Sequence, residues 1–108
     1  MSNMYSVIMT TFPNQESMDK VNSKLLESGL AACIQSFDVT SMFSWEGKIN
    51  QEPEKLVLIK TKSSLFDEIK AQITQEHPYD VPEIIQLPIE KIAEGYQVWM
   101  ESVLNKHN

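Results

Sequence analysis

The sequence predicts an α+β domain in which the elements follow the order β-α-β-β-α-β, with one further helix at the C-terminus. Three observations support this order: β-rich runs that lack glycine and proline, apolar residues recurring at helical spacing, and glycine or proline at most boundaries between them. A length of 108 residues suits one domain with one hydrophobic core. We therefore treat residues 1–108 as a single domain.

The first strand and its exit are the clearest local signals. Residues 4–11 are β-rich and contain neither glycine nor proline, which predicts a strand. Phe12-Pro13-Asn14 breaks it, and either Asn14 or Ser17 can cap the helix that follows. The apolar stripe of that helix consists of Met18, Val21 and Leu25, and Gly29 is placed to terminate it.

The middle of the chain predicts a β-hairpin. Residues 30–44 are interpreted as a long strand with an irregularity near Ser36, and Gly47 is the expected turn residue. The polar residues 50–54, which include Pro53, are interpreted as a connection, and residues 55–61 as the next strand. The hairpin is expected to run from residues 36–44 into 55–61.

The remaining third predicts a helix, a strand and a second helix. Ser64-Leu65-Phe66-Asp67 has the form of a capping box, and the helix after it should end before His77-Pro78. Residues 81–87 are interpreted as a fourth strand that Pro88 closes. The stripe of the earlier helix consists of Phe66, Ile69 and Ile73; the last helix is marked by Ile92, Tyr96, Trp99, Met100 and Val103.

This order is that of the split βαβ, or ferredoxin-like, arrangement, in which two helices cover one face of a four-stranded sheet. Several large apolar residues exceed what one such core absorbs, and they are Met42, Phe43, Trp45, Tyr96 and Trp99. Surplus apolar surface of this kind indicates a domain that associates with copies of itself.

Charge and composition exclude several classes of partner. The net charge is −6, and all 9 basic residues are lysines, which argues against nucleic acid and anionic membranes. No apolar run approaches the roughly 20 residues that span a bilayer, and no signal peptide is visible. With Cys33 as the single cysteine, an internal disulfide is impossible, so we expect a reducing cytoplasm.

Residues 77–83 (His-Pro-Tyr-Asp-Val-Pro-Glu) place polar groups on a backbone that two prolines stiffen. His77, Tyr79, Asp80 and Glu83, together with Cys33, form a weak metal-ligand constellation, since imidazole plus thiolate suits copper or zinc. Two alternatives stay open: His77 caps the preceding helix, and Cys33 is a small buried hydrophobe.

Catalysis is not expected. No Gly-x-Ser-x-Gly elbow, phosphate-binding loop or dinucleotide fingerprint occurs, and the chain has only three glycines. A nucleophilic Cys33 would need a base, and the only histidines are His77 and His107, of which His107 lies in a polar tail. We therefore predict that the protein is not an enzyme.

Several motifs taken together resemble the CutA divalent-cation tolerance proteins. The resemblance is collinear over residues 5–104, and its motifs are Leu-Ala-Ala-Cys at 30–33, Trp-Glu-Gly-Lys-Ile at 45–49, Leu-Ile-Lys-Thr at 58–61 and the segment from His77 to Ile85. It implies a ferredoxin-like protomer in a tight homotrimer whose strands extend sheets between subunits. It also implies an architecture like that of the PII signalling trimers, which bind effectors in clefts between subunits.

The resemblance implies a role in the response to divalent metal ions, with Cu²⁺ or another divalent cation as the ligand. Position by position, His77 matches the family's His-Pro-Tyr motif and Cys33 its Ala-Ala-Cys motif. Thr10 and Glu76 stand where some members carry a further cysteine and a further histidine. The candidate metal ligands are therefore His77, Cys33 and Glu83, with Glu76 as a further carboxylate.

Two other hypotheses follow from the same trimer. A cleft between subunits, lined by Trp45, Lys60, Tyr79, Glu83 and Trp99, would bind a small anionic effector, with Lys60 neutralising the anion and the rings stacking. Alternatively, these residues only build the trimer.

Overall fold

The computed structural model describes residues 3–104, so His107 lies outside the described residues. The elements are β1 (Tyr5–Phe12), α1 (Gln15–Glu27), β2 (Cys33–Trp45), β3 (Lys48–Lys62), α2 (Phe66–Glu76), β4 (Ile84–Pro88) and α3 (Glu94–Val103), with a 3₁₀ turn at Ser63–Leu65. All neighbouring strands pair antiparallel in the order β2-β3-β1-β4. The predicted element order and the ferredoxin-like fold are confirmed.

Helix α1 has the two ends that the sequence predicts. The Oδ1 atom of Asn14 accepts the N–H of Ser17 at 2.8 Å, so Asn14 is the N-cap. Gly29 has φ +75°, and the N–H of Leu30 reaches back to the carbonyl of Leu25 at 3.0 Å. This is the glycine-dependent termination in which a left-handed residue satisfies the last carbonyls of the helix.

The core lies between the sheet and the helices α1 and α2. Alternate residues of each strand face this layer, because successive side chains of a strand point to opposite faces. Ile8 pairs with Ile59 across β1 and β3, and both are fully buried with Ile69 and Ile73 of α2. The apolar stripes predicted for both helices are therefore confirmed as core.

Helix α3 packs on part of the opposite face of the sheet. The hydroxyl of Tyr5 on β1 donates to the Glu101 carboxylate, which also pairs with Lys62 of β3 at 2.7 Å. The Lys60 ammonium lies 5.5 Å from the centre of the Tyr96 ring. The rest of this face, which we call the open face, is left uncovered within the described chain.

The hairpin is longer and straighter than predicted. Pairing of β2 with β3 runs without interruption from Cys33↔Lys60 to Trp45↔Lys48, so the irregularity expected near Ser36 is wrong. Between Trp45 and Lys48, Glu46 and Gly47 have φ of +50° and +75°, as a two-residue hairpin turn requires.

Residues 50–54 are part of β3 rather than a connection, which corrects the second hairpin prediction. Strand β1 ends at Phe12↔Lys55, so beyond that point β2 is the only strand of the described residues 3–104 that pairs with β3. Residues 39–45 and 48–54 thus form a two-stranded projection, which we call the arm.

Pro53 is tolerated in this strand for a geometric reason. Hydrogen-bonded and non-hydrogen-bonded pairs alternate along an antiparallel ladder, and Trp45↔Lys48 is the hydrogen-bonded pair that closes the turn. Thr40↔Pro53 is then a non-hydrogen-bonded pair, so the proline nitrogen points to the free edge of the arm. The missing N–H removes no bond from the ladder.

Two predicted starts are wrong. Ser64 is not a helix cap: α2 begins at Phe66 after the 3₁₀ turn, and its N-cap, Leu65, makes no side-chain cap bond. Burial of Leu65 in the core fixes this turn and overrides the local capping signal. Strand β4 begins at Ile84 rather than at Val81, which is 82% exposed, because the carbonyl of Thr11 on β1 is already taken by His77.

Candidate functional site

His77 lies at the junction between the end of α2, the end of β1 and the segment leading to β4. Its ring Nε2 is 2.6 Å from the carbonyl oxygen of Thr11, and its Nδ1 accepts the N–H of Tyr79 at 3.1 Å. His77 is 9% exposed, and its ring stacks on Phe12 with the ring centres 4.6 Å apart. Because Nδ1 accepts, Nε2 carries the proton and donates to Thr11, so both nitrogens of the neutral imidazole are occupied.

The backbone of His77 also ends α2, since its N–H bonds to the carbonyl of Ile73 at 2.9 Å. The helix-capping alternative is therefore correct for the backbone, while the ring holds two other segments together. A metal ion at His77 would have to displace one of the two ring hydrogen bonds.

Tyr79 connects this junction to the arm. Its hydroxyl donates to Oε2 of Glu54 at 2.8 Å, and Ser41 donates to Oε1 of the same carboxylate at 2.7 Å. Burial, with the hydrogen bond to Glu54, raises the pKa of Tyr79 to about 12. Burial, with the nearby Glu54 charge, also raises the pKa of Glu83. Glu83 and Glu54 are thus close enough to repel each other.

Thr10 and Glu76 stand where some family members carry a further cysteine and histidine, and neither supplies a free metal ligand here. The Glu76 carboxylate pairs with Lys24 at 2.7 Å and Lys20 at 3.3 Å, and these hydrogen bonds lower its pKa. Thr10 is fully buried on the helix side of the sheet, where its hydroxyl has no hydrogen-bond partner among residues 3–104.

Cys33 lies away from His77. It pairs with Lys60, which lies opposite Val7 of β1, whereas the His77 ring binds Thr11, four residues further along that strand. At about 3.4 Å per residue, this offset alone is roughly 13 Å. Within residues 3–104, no group of three or more His, Cys, Asp or Glu side chains is arranged to hold a metal ion. The three predicted metal ligands do not form a site within one chain, and their assignment stays a prediction.

The predicted effector residues are also spread over the molecule. Trp45 is at the tip of the arm beside Lys48, and Lys60 lies twelve residues along the same strand, which is about 40 Å away. Lys60 and Trp99 both adjoin Tyr96, because the Tyr96 ring lies under the Lys60 ammonium and 5.3 Å from the Trp99 ring. Tyr96 joins these two residues, a role that its i, i+3 spacing from Trp99 could have suggested.

Exposed apolar side chains follow the open face and the arm. Large hydrophobic residues with at least two fifths of their surface exposed include Phe37, Met42, Phe43, Trp45, Ile49, Ile85, Leu87 and Trp99. This amount of exposed apolar surface is typical of an association surface. In the described part of the chain, no helix is long and apolar enough to cross a membrane.

The sequence matches the family described as "CutA1 divalent ion tolerance protein" over residues 6–103. The Divalent-cation tolerance protein CutA of Pyrococcus horikoshii is 38% identical over 94 residues, which cover 87% of this chain and 92% of that protein. The chloroplastic protein CutA of Arabidopsis thaliana is 35% identical over 97 residues, which cover 89% of this chain and 53% of that protein.

A solved structure gives the same result for the fold. The periplasmic divalent cation tolerance protein CutA from Archaeoglobus fulgidus superposes with a TM-score of 0.92 at 33% identity, covering 94% of this chain and all of that one. At this identity and coverage the likeness extends from the sheet to the arm and α3.

Proposed function

Because the chain belongs to the CutA1 divalent ion tolerance family, we propose that it acts as a cytoplasmic homotrimer that binds Cu²⁺ or a similar ion with modest affinity. The observation that carries a role in divalent-cation tolerance is the collinear family match over residues 6–103. The cytoplasmic location is proposed because the single cysteine, Cys33, cannot form an internal disulfide. Relatives are named from the periplasm and the chloroplast. The proposal includes no catalytic step.

The trimer is supported by the uncovered apolar surface. Phe37, Ile85 and Leu87 are exposed on the open face, and Trp45 and Ile49 at the tip of the arm. A second and third copy would bury these side chains, each of which is worth about 1.5–3 kcal/mol when fully removed from water. Light scattering after size exclusion should give three times the mass of one chain, and a monomer at micromolar concentration would refute the assembly.

The proposed ion would be shared between subunits. One chain does not bring Cys33 and His77 together, and the His77 nitrogens already hold backbone groups. Glu83 is the candidate ligand whose carboxylate is not committed to an ion pair among residues 3–104. Competition with existing hydrogen bonds makes a modest affinity the natural expectation.

Calorimetric titration of Cu²⁺ tests the ligand assignment. Glu83→Gln, Cys33→Ser and His77→Gln should each weaken binding about tenfold or more, the cost of one charge-assisted ligand. Glu90→Gln removes the same charge from an exposed position at the other end of β4 and should have no effect. Equal affinity in all four variants would refute the assignment, and no binding by the wild type would refute direct copper binding.

A second function, effector binding between subunits, is favoured by the surroundings of Lys60. Its ammonium lies over Tyr96 and forms no ion pair with any residue from 3 to 104. A cation over one aromatic ring, on a surface that the proposed trimer would cover, is suited to a small anion.

A thermal-shift screen of phosphate and nucleotides near 1 mM tests this function. At that concentration a ligand stabilises the protein only if it binds in that concentration range. Wild type should be stabilised and Lys60→Gln should not. If no anion stabilises the wild type, and Trp45→Ala dissociates the trimer, the purely structural alternative is favoured.

A further inference from the structure

A groove of about 350 Å³ lies between α2 and the segment that leads from His77 into β4. One wall is a stripe of α2 residues four positions apart, and the other is the segment that leads into β4. The helix contributes Phe66, Lys70 and Thr74, and the segment contributes Asp80, Val81 and Ile84.

The connection between the walls is short. Residues 77–79 separate the end of α2 from Asp80, so Asp80 lies within about 14 Å of the end of the helix. Strand β4 then begins at Ile84, opposite Thr10 of β1, and Ile84 packs against the core as Phe66 does. The groove therefore brings three polar side chains, those of Lys70, Thr74 and Asp80, together with the apolar side chains of Phe66, Val81 and Ile84.

The two charges in the groove, Lys70 and Asp80, come from opposite walls. Neither Lys70 nor Asp80 forms an ion pair with any residue in the described range 3–104, whereas Lys20, Lys24, Lys55 and Lys62 each have one. An unpaired ammonium and an unpaired carboxylate over an apolar floor complement a ligand that carries both opposite charges.

The segment wall is stiff and exposes an apolar side chain. Val81 is 82% exposed and lies between Pro78 and Pro82, which fix the backbone on either side. The hydrogen bond from the Tyr79 N–H to His77 anchors the start of the same segment. A wall that is already rigid reduces the ordering cost of binding.

We propose that this groove binds a small zwitterion with an apolar tail, namely a free amino acid of the leucine type. Its α-carboxylate lies at Lys70 within reach of the Thr74 hydroxyl, its ammonium at Asp80, and its side chain against Phe66, Val81 and Ile84. The volume is at the lower end of small-molecule pockets, which suits a ligand of this size. The proposed metal ligand Glu83 lies in the same segment, between Pro82 and Ile84, but the groove does not use its carboxylate, and the test with L-leucine needs no metal ion.

The test is an amide NMR titration of the full chain with L-leucine. The open groove predicts a Kd near 1 mM, with shifts concentrated in residues 66–74 and 80–84. The probe 4-methylpentanoate lacks the ammonium and 3-methylbutylamine lacks the carboxylate, and each should bind about tenfold more weakly or less.

Lys70→Gln and Asp80→Asn should each weaken L-leucine binding by about tenfold, while the exposed controls Lys91→Gln and Glu90→Gln should bind as wild type does. Absence of shifts up to about 10 mM would overturn the proposal. So would equal binding of L-leucine and 4-methylpentanoate, or full binding by Asp80→Asn.

Discussion

Replacing His77 by alanine should destabilise the protein by about 3–5 kcal/mol in the complete absence of metal. The change removes the hydrogen bonds to the Thr11 carbonyl and the Tyr79 N–H, at 2.6 and 3.1 Å. A backbone group left buried without a partner costs about 1–3 kcal/mol, which applies to the buried Thr11 carbonyl and less fully to the part-buried Tyr79 N–H. Loss of the ring stacked on Phe12 adds roughly 1 kcal/mol. These terms overlap, because water can enter the space left by the ring.

Urea unfolding at one fixed protein concentration measures the loss, since an oligomer's apparent stability depends on concentration. The wild type and the His77→Ala variant are each measured with and without a strong chelator. His77→Gln is the matched variant: its amide can donate to the Thr11 carbonyl in place of Nε2, so it should recover part of the loss. Asp80→Ala, an exposed neighbour, should cost less than about 0.5 kcal/mol.

A loss below about 1 kcal/mol for His77→Ala would refute the reasoning that the ring is a structural junction. A loss that appears only when metal is present would show instead that His77 acts mainly as a ligand. The experiment therefore distinguishes a structural role of His77 from a metal-binding role.

Further predictions concern the turn, the caps and pH. Gly47→Ala should lower the free energy of unfolding by about 1 kcal/mol, because a Cβ there meets no atom within 4 Å and only the φ of +75° opposes it. Gly95 is equally uncrowded but helical, so Gly95→Ala should raise the free energy of unfolding by about 0.5–1 kcal/mol, as measured by thermal unfolding. Asn14→Ala should lose about 1 kcal/mol in urea unfolding with the α1 cap. Glu76→Gln should destabilise at neutral pH, where the lowered pKa of Glu76 reports a stabilised carboxylate, and the difference from wild type should vanish as pH falls through that pKa. A pH-independent difference in paired unfolding curves would contradict this assignment.

Local signals predicted most of the fold correctly. The helix cap and the two left-handed glycine positions follow conformational preference, at Asn14, Gly29 and Gly47. Both apolar stripes face the core. The errors occur where contacts with distant parts of the chain determine the local structure. Burial of Leu65 replaces the capping box by a 3₁₀ turn, and the end of β1 leaves a free edge on which Pro53 is harmless.

The candidate site was predictable only as a set of residues. The sequence identifies His77 as exceptional, but its ring partner, Thr11, is 66 positions away and on another element. Pairing of Tyr96 with Lys60 likewise depends on how α3 settles on the sheet. Periodicity does not specify such contacts, since it fixes the face of an element rather than its neighbour.

The arm has a further consequence for aggregation. An unpaired strand edge ordinarily invites further strands to add without limit, as in fibrils. Along the free edge of β3, Pro53 removes a donor midway, and the acids Glu52 and Glu54 flank it. Unlimited addition of strands is disfavoured at this edge. The protein can therefore expose the long apolar arm and still form assemblies of finite size.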